Sequence, residues 1–164
     1  RRGASMGLLN WLPENRLILG GRVLQQVGEL LSDKGAEVFS IVPEATVAEA
    51  VKLLAAKSIG SLLVMQEDTL CGIVTERDYA RKVLAGGLEP ENTCVADIMT
   101  ADVFTTGVEQ NIDECMMLMT EKRIRHLPVV DGGRVVGIIS IGDLMKAIIS
   151  DNQRAIGALD FAAD

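Results

Sequence analysis

Two short polar motifs with the same spacing stand 65 residues apart in this chain, Thr75-Glu76-Arg77-Asp78 and Ser140-Ile141-Gly142-Asp143. A hydroxyl followed three residues later by a carboxylate marks a helix start. The hydroxyl accepts the orphan amide ahead of it, and the carboxylate reaches back to the amide behind. Each motif is therefore either a helix cap alone, or a cap whose Asp also faces a cleft. A basic run, Lys122, Arg123, Arg125 and His126, stands where the first copy has Lys57, Ser58, Gly60 and Ser61. Such a run is either a solvated face or a local site for a small anion. There is no phosphate-binding glycine loop, no carboxylate pair at metal spacing and no nucleophile beside a base, so the reading is non-catalytic. One histidine and three cysteines (Cys71, Cys94, Cys115) without a C-x-x-C pair argue against zinc and for reduced thiols.

The motifs are two points on a longer internal repeat. Phe39-Ser40-Ile41 answers Phe104-Thr105-Thr106, and Gly72-Ile73-Val74-Thr75 answers Gly137-Ile138-Ile139-Ser140, at the same offset. Val47, Ala50, Val51 and Leu54, like Ile112, Cys115, Met116 and Met119, recur at i, i+3, i+4, i+7 and predict amphipathic helices. Thr46 with Glu49, and Asn111 with Glu114, predict a capping box at the start of each. Leu62–Met65 and Cys71–Val74 flank the turn Gln66-Glu67-Asp68, while Leu127–Val130 and Val135–Ile139 flank Asp131-Gly132-Gly133, which predicts two hairpins. Second helices are predicted over 76–85 and 141–150, and first strands over 38–41 and 103–105. The repeating unit is thus β-α-β-β-α, an α/β (α+β) class.

A related lead-in, Val27-Gly28-Glu29-Leu30-Leu31 and Val95-Ala96-Asp97-Ile98-Met99, precedes each copy and is expected to belong to it. The chain divides into an extension (1–22), a first repeat (23–85), a linker containing Pro90 (86–94), a second repeat (95–150) and a tail (151–164). A domain of ~60 residues buries only about 60% of its unfolded surface, so the two copies are expected to pack face to face with pseudo-two-fold symmetry.

A net charge of −7 argues against nucleic acid as partner, since that affinity rests on Lys and Arg neutralising phosphates. No apolar run reaches the ~18 residues of a membrane span, so the chain reads as soluble. Arg1 to Ser5 read as a cloning remnant or the stump of a processed leader. The cluster Leu8, Leu9, Trp11 and Leu12 reads as a packing arm.

The tandem unit carrying Gly72-Ile-Val-Thr-Glu-Arg-Asp78, Gly137-Ile-Ile-Ser-Ile-Gly-Asp143, Asp97-Ile-Met-Thr100 and Arg123-Ile-Arg-His-Leu-Pro-Val-Val130 resembles a cystathionine β-synthase (CBS) domain pair of the stand-alone type. The resemblance covers about residues 23 to 150. It implies that Asp78 and Asp143 grip a ribose diol, with Thr75 and Ser140 contacting ribose or phosphate. Such chemistry suits a carboxylate, which accepts two hydrogen bonds, and a helix N-terminus, which favours anions. By the same resemblance Arg125 and His126 contact phosphate in the second site. In the first copy the nearest cation is Arg77, inside its own motif, either an anion contact or a partner of Glu76 or Glu121. Ile41, Thr100, Val103 and Thr105 are candidates to line an adenine slot or to be ordinary core.

The implied function is a regulatory module binding AMP, ADP or ATP, or NAD, in clefts between the repeats, with no metal, and acting on an unidentified partner protein. A homodimer is expected, in bacterial cytoplasm or, alternatively, an organelle matrix. Two rival readings stay open: a dimerisation module with vestigial sites, and a binder of S-adenosylmethionine.

Overall fold

The computed structural model describes residues 10–11, 17–19, 22–23 and 25–162; Arg1 to Ser5, Leu8, Leu9 and Leu12 lie outside the described residues. In chain order the elements are β1 (Asn10–Trp11), β2 (Leu17–Leu19), β3 (Arg22–Val23), α1 (Val27–Lys34), β4 (Ser40–Ile41), α2 (Val47–Lys57), β5 (Ser61–Gln66) and β6 (Thr69–Thr75). Then come α3 (Glu76–Asp78), which continues as a π-helical segment (Tyr79–Leu84), α4 (Val95–Ile98), β7 (Thr106–Gly107), α5 (Ile112–Lys122), β8 (His126–Asp131), β9 (Arg134–Ser140) and α6 (Ile141–Ala162). Three small sheets result, in the orders β1-β2-β3, β4-β5-β6 and β7-β8-β9. In the second, β4 pairs parallel to β5 and β5 antiparallel to β6, with Leu62 opposite Val74 and Leu63 opposite Ile73.

Local sequence explains most of these boundaries. Thr46 and Glu49 form the predicted capping box, the Glu49 carboxylate accepting the Thr46 N–H at 2.8 Å and the Thr46 hydroxyl accepting the Glu49 N–H at 3.2 Å. The buried stripe of α2 is Val47, Ala50 and Leu54, and that of α5 is Ile112, Cys115 and Met119. Gly132 and Gly133 both adopt positive φ, as a two-residue hairpin turn of the primed type requires.

Four local expectations are corrected. Asn111 makes no capping hydrogen bond; its side chain is buried beside Gln26, its bridge partner, and Glu114 instead accepts from the Gln110 side-chain amide. The strand expected over 103–105 forms at Thr106–Gly107, because the Val103 N–H is spent locally on the Ala101 carbonyl at 3.0 Å. The helix after Thr75 is α-helical only to Asp78 and then widens, as the Ala85 N–H to Ala80 carbonyl bond, spanning five residues, shows. Helix α6 does not stop at Ser150 but runs to Ala162, since the single Gly157 in that stretch weakens a helix without ending it.

The lead-ins dock on the other repeat, not on their own. Val27 N–H donates to Gln110 O (2.9 Å), Gly28 N–H to Val108 O (2.8 Å), and in return Ile112 N–H donates to Gln25 O (3.0 Å). The second lead-in repeats the pattern: Val95 N–H to Ala45 O (2.8 Å), Ala96 N–H to Pro43 O (3.0 Å), and Val47 N–H to Thr93 O (2.9 Å). Ile112 and Val47 are the first residues of α5 and α2, whose amides have no partner within the helix, so each lead-in satisfies a helix start that belongs to the other copy. Two compact units follow, each drawn from both repeats. One comprises residues up to 35, 107–125 and from 140 onward, with α1, α5 and α6. The other comprises 36–106 and 126–139. Its core joins Val47, Ala50, Leu54, Leu62, Val64, Val74 and Val83 to Val95 and Ile98 of the second lead-in.

That junction yields a stability prediction. A Cβ on Gly72 of β6 would lie 2.6 Å from Met99 Sδ and 2.9 Å from the Thr100 carbonyl oxygen. Gly72→Ala is expected to cost about 1–3 kcal/mol through overpacking, measured as a lower midpoint in urea unfolding at unchanged slope.

Candidate functional site

Strands β6 and β9 end on the two polar motifs, and in both the cap is formed. Asp78 Oδ2 accepts the Thr75 N–H at 3.0 Å and its hydroxyl at 2.8 Å, while Thr75 Oγ1 accepts the Asp78 N–H at 3.2 Å. Asp143 Oδ2 accepts the Ser140 N–H at 2.8 Å and its hydroxyl at 2.9 Å, and Ser140 Oγ accepts the Asp143 N–H at 3.2 Å. Each carboxylate is thereby fixed in direction at a helix start.

Two lysines that the sequence reading passed over complete these sites. Lys82 Nζ lies 3.0 Å from Asp78 Oδ1, one helical turn on. Lys34 Nζ, from the end of α1, lies 2.6 Å from Asp143 Oδ2. The i, i+4 spacing of Asp78 and Lys82 is legible in sequence. Nothing local announces Lys34, 109 residues away from Asp143. Burial pushes the Asp143 carboxyl up, but the Lys34 ammonium and the Ser140 N–H and hydroxyl together outweigh it and hold the group below its ordinary value.

The other candidate residues divide between the units. With Ser140 and Asp143 stands Arg125, whose side chain is exposed and whose carbonyl accepts the Ile141 N–H at 2.9 Å. Ile41, Thr75, Arg77, Asp78, Thr100, Val103, Thr105 and His126 fall in the other unit. There Ile41 packs on the hydrophobic core. Thr100 is exposed, with its backbone paired to Ile73 in both directions. Val103 is half-buried, while Thr105 and Arg77 are exposed. The His126 ring lies beside Gly60: a Cβ there would be 3.5 Å from His126 Cε1 and 3.6 Å from Glu76 Oε2. Arg125 and His126, expected from the sequence to serve Ser140 and Asp143 together, fall in different units. His126 sits by the start of α3, and the Glu76 N–H to Gly60 O bond (3.2 Å) there mirrors the one at Arg125.

In the unit holding Asp143, a cleft of about 200 Å³ opens between α1 and α6. Leu30 and Ala147 are its apolar walls, and Gln25, Lys34, Asp143 and Lys146 are among its polar ones. Gln25 Oε1 is buried there with no hydrogen-bond partner among the described residues. No three His, Cys, Asp or Glu side chains converge as a metal site would require, among the described residues. No helix among them is long and apolar enough to cross a membrane.

The comparisons agree with this geometry. The CBS domain family model matches residues 27–85 and again 95–150. A CBS domain-containing protein of Arabidopsis thaliana, CBSX3, mitochondrial, is 37% identical over 120 residues, which are 70% of this chain and 58% of that protein, so the chain spans little more than half the length of that relative. A solved structure of a protein with CBS domains from Burkholderia ambifaria MC40-6 is 48% identical, with a TM-score of 0.75, covering 77% of this chain and 96% of that one. The CBS domain pair of protein MJ0100, solved in complex with 5′-methylthioadenosine and S-adenosyl-L-methionine, is 26% identical with a TM-score of 0.66, covering 77% of this chain and 98% of that one. The chain belongs to the CBS-domain family, as a tandem pair.

Because the folded pKa of Asp143 is depressed, its contribution to stability is present above the unfolded value of about 3.9 and is lost as pH falls through the folded value. Asp143→Asn is expected to lower stability at neutral pH and to flatten the loss seen on acidification; urea titrations across the acid range measure both.

Proposed function

We propose that the protein is a non-catalytic regulatory module that binds adenine nucleotides at Asp78 and Asp143 and passes their occupancy to a partner protein. One observation carries the reading: the same cap-held carboxylate occurs twice, at the same strand-to-helix junction of a CBS pair. A carboxylate already oriented by its helix start meets a ribose diol without further loss of side-chain freedom, and the adjacent N-terminus favours phosphate. Complexes of the MJ0100 pair with two adenosyl compounds support an adenosine ligand. AMP, ADP, ATP or NAD is the proposed class, with Arg77, Arg125 and His126 as anion contacts and Ile41, Thr100, Val103 and Thr105 near the base. The reducing compartment is bacterial cytoplasm or, following the mitochondrial relative, an organelle matrix.

Asp78→Asn combined with Asp143→Asn is expected to weaken AMP by about 1.5–3 kcal/mol at each site, read by calorimetry. Wild-type protein at a hundred times the dissociation constant gains about 2.7 kcal/mol of stability, visible as a higher melting temperature. Unchanged AMP binding in the double variant sinks the assignment.

A second reading, a dimerisation module with vestigial sites, is favoured by one observation: both carboxylates are already satisfied by their caps and lysines. Absence of any melting shift with AMP, ATP, NAD or S-adenosylmethionine selects it. Either way we propose a homodimer, because α6 exposes Met145 and Ile149 one turn apart and α5 exposes Met117, at 53%, 52% and 71%. Ile149→Asp is expected to shift the mass from dimer to monomer by light scattering at micromolar protein; a wild-type monomer independent of concentration refutes the dimer.

A further inference from the structure

The ion pair between Lys34 and Asp143 sits inside the α1–α6 cleft, and its chemistry goes beyond tying two helices together. The two side chains keep 28% and 22% of their exposure, so the contact can exchange with a ligand without stranding a charge in an apolar interior. A ligand that separates the pair must satisfy both halves. Asp143 takes hydroxyl donors and Lys34 takes an anion. A sugar phosphate presents hydroxyls and an anion side by side, whereas an uncharged nucleoside supplies only the first.

The charge balance of the cleft makes Lys34 decisive. Lys34 and Lys146 stand there with Asp33, Asp143 and Asp151; without Lys34, one ammonium would face three carboxylates. Such a cleft repels phosphate. Arg125 is not among the residues that line it. We infer that Lys34, at the end of α1, is the specificity-determining residue of the Asp143 site, selecting ribose phosphates over uncharged nucleosides. The inference rests on the nucleotide reading above and names the residue that decides which nucleotide class this site accepts.

Calorimetry with AMP and with adenosine on the full chain tests it, in an Asp78→Asn background that isolates the Asp143 site. Lys34→Gln is expected to weaken AMP by about tenfold or more, the loss of a charged hydrogen bond, while adenosine changes by less than about twofold. Lys34→Arg, which keeps the charge, retains the preference for AMP and serves as the second variant should Lys34→Gln fail to fold. Equal losses for both ligands, tighter AMP binding in Lys34→Gln, or loss of the AMP preference in Lys34→Arg overturns the role of Lys34. Unaltered AMP affinity in Asp143→Asn overturns the nucleotide reading of this site itself, a separate outcome.

Discussion

The exchange of lead-ins is the constraint on which the rest of the structure depends. Each amphipathic helix that opens a repeat starts with amides that its own turn cannot satisfy, and the carbonyls that meet them come from the other repeat, Gln25 for Ile112 and Thr93 for Val47. Val27 and Val95, fully buried beside these bonds, add apolar burial to the same joints. Neither repeat is therefore a self-sufficient folding unit. The length of one repeat already made that expectation reasonable, since so short a chain buries too little surface to stand alone.

The same exchange explains the electrostatics of the sites. Lys34 reaches Asp143 only because α1 is docked in the unit that contains α6. On the other motif the lysine is local, Lys82 one turn beyond Asp78, and it lies within the widened helical segment Tyr79–Leu84. Two motifs with the same hydroxyl-to-carboxylate spacing thus end with different cations from different sources. Asp143 is tied to α1, whereas Asp78 is tied to the helical segment that leads into the linker.

The histidine illustrates how neighbouring residues acquire separate environments. Gly60, the counterpart of Arg125, has no side chain, and the His126 ring lies against that open space next to Glu76. Arg125 instead presents only its carbonyl to the start of α6 while its guanidinium is exposed.

What the sequence determined by itself was everything encoded by short-range periodicity and spacing. The helical stripes of α2 and α5, the two hairpins, the Thr46–Glu49 box, the Thr75–Asp78 and Ser140–Asp143 caps and the duplicated family pattern all depend on residues within a few positions of one another. Local rules failed in two places: Asn111 makes no cap where the chain pairs with Gln26, and the strand expected over 103–105 gives way to Thr106–Gly107 where a tight turn takes the Val103 amide. Only the tertiary structure decided that the lead-ins cross and that Lys34 meets Asp143. Those contacts join segments up to 109 residues apart, and no pattern of neighbours records which distant backbone will supply the missing partner for a helix start.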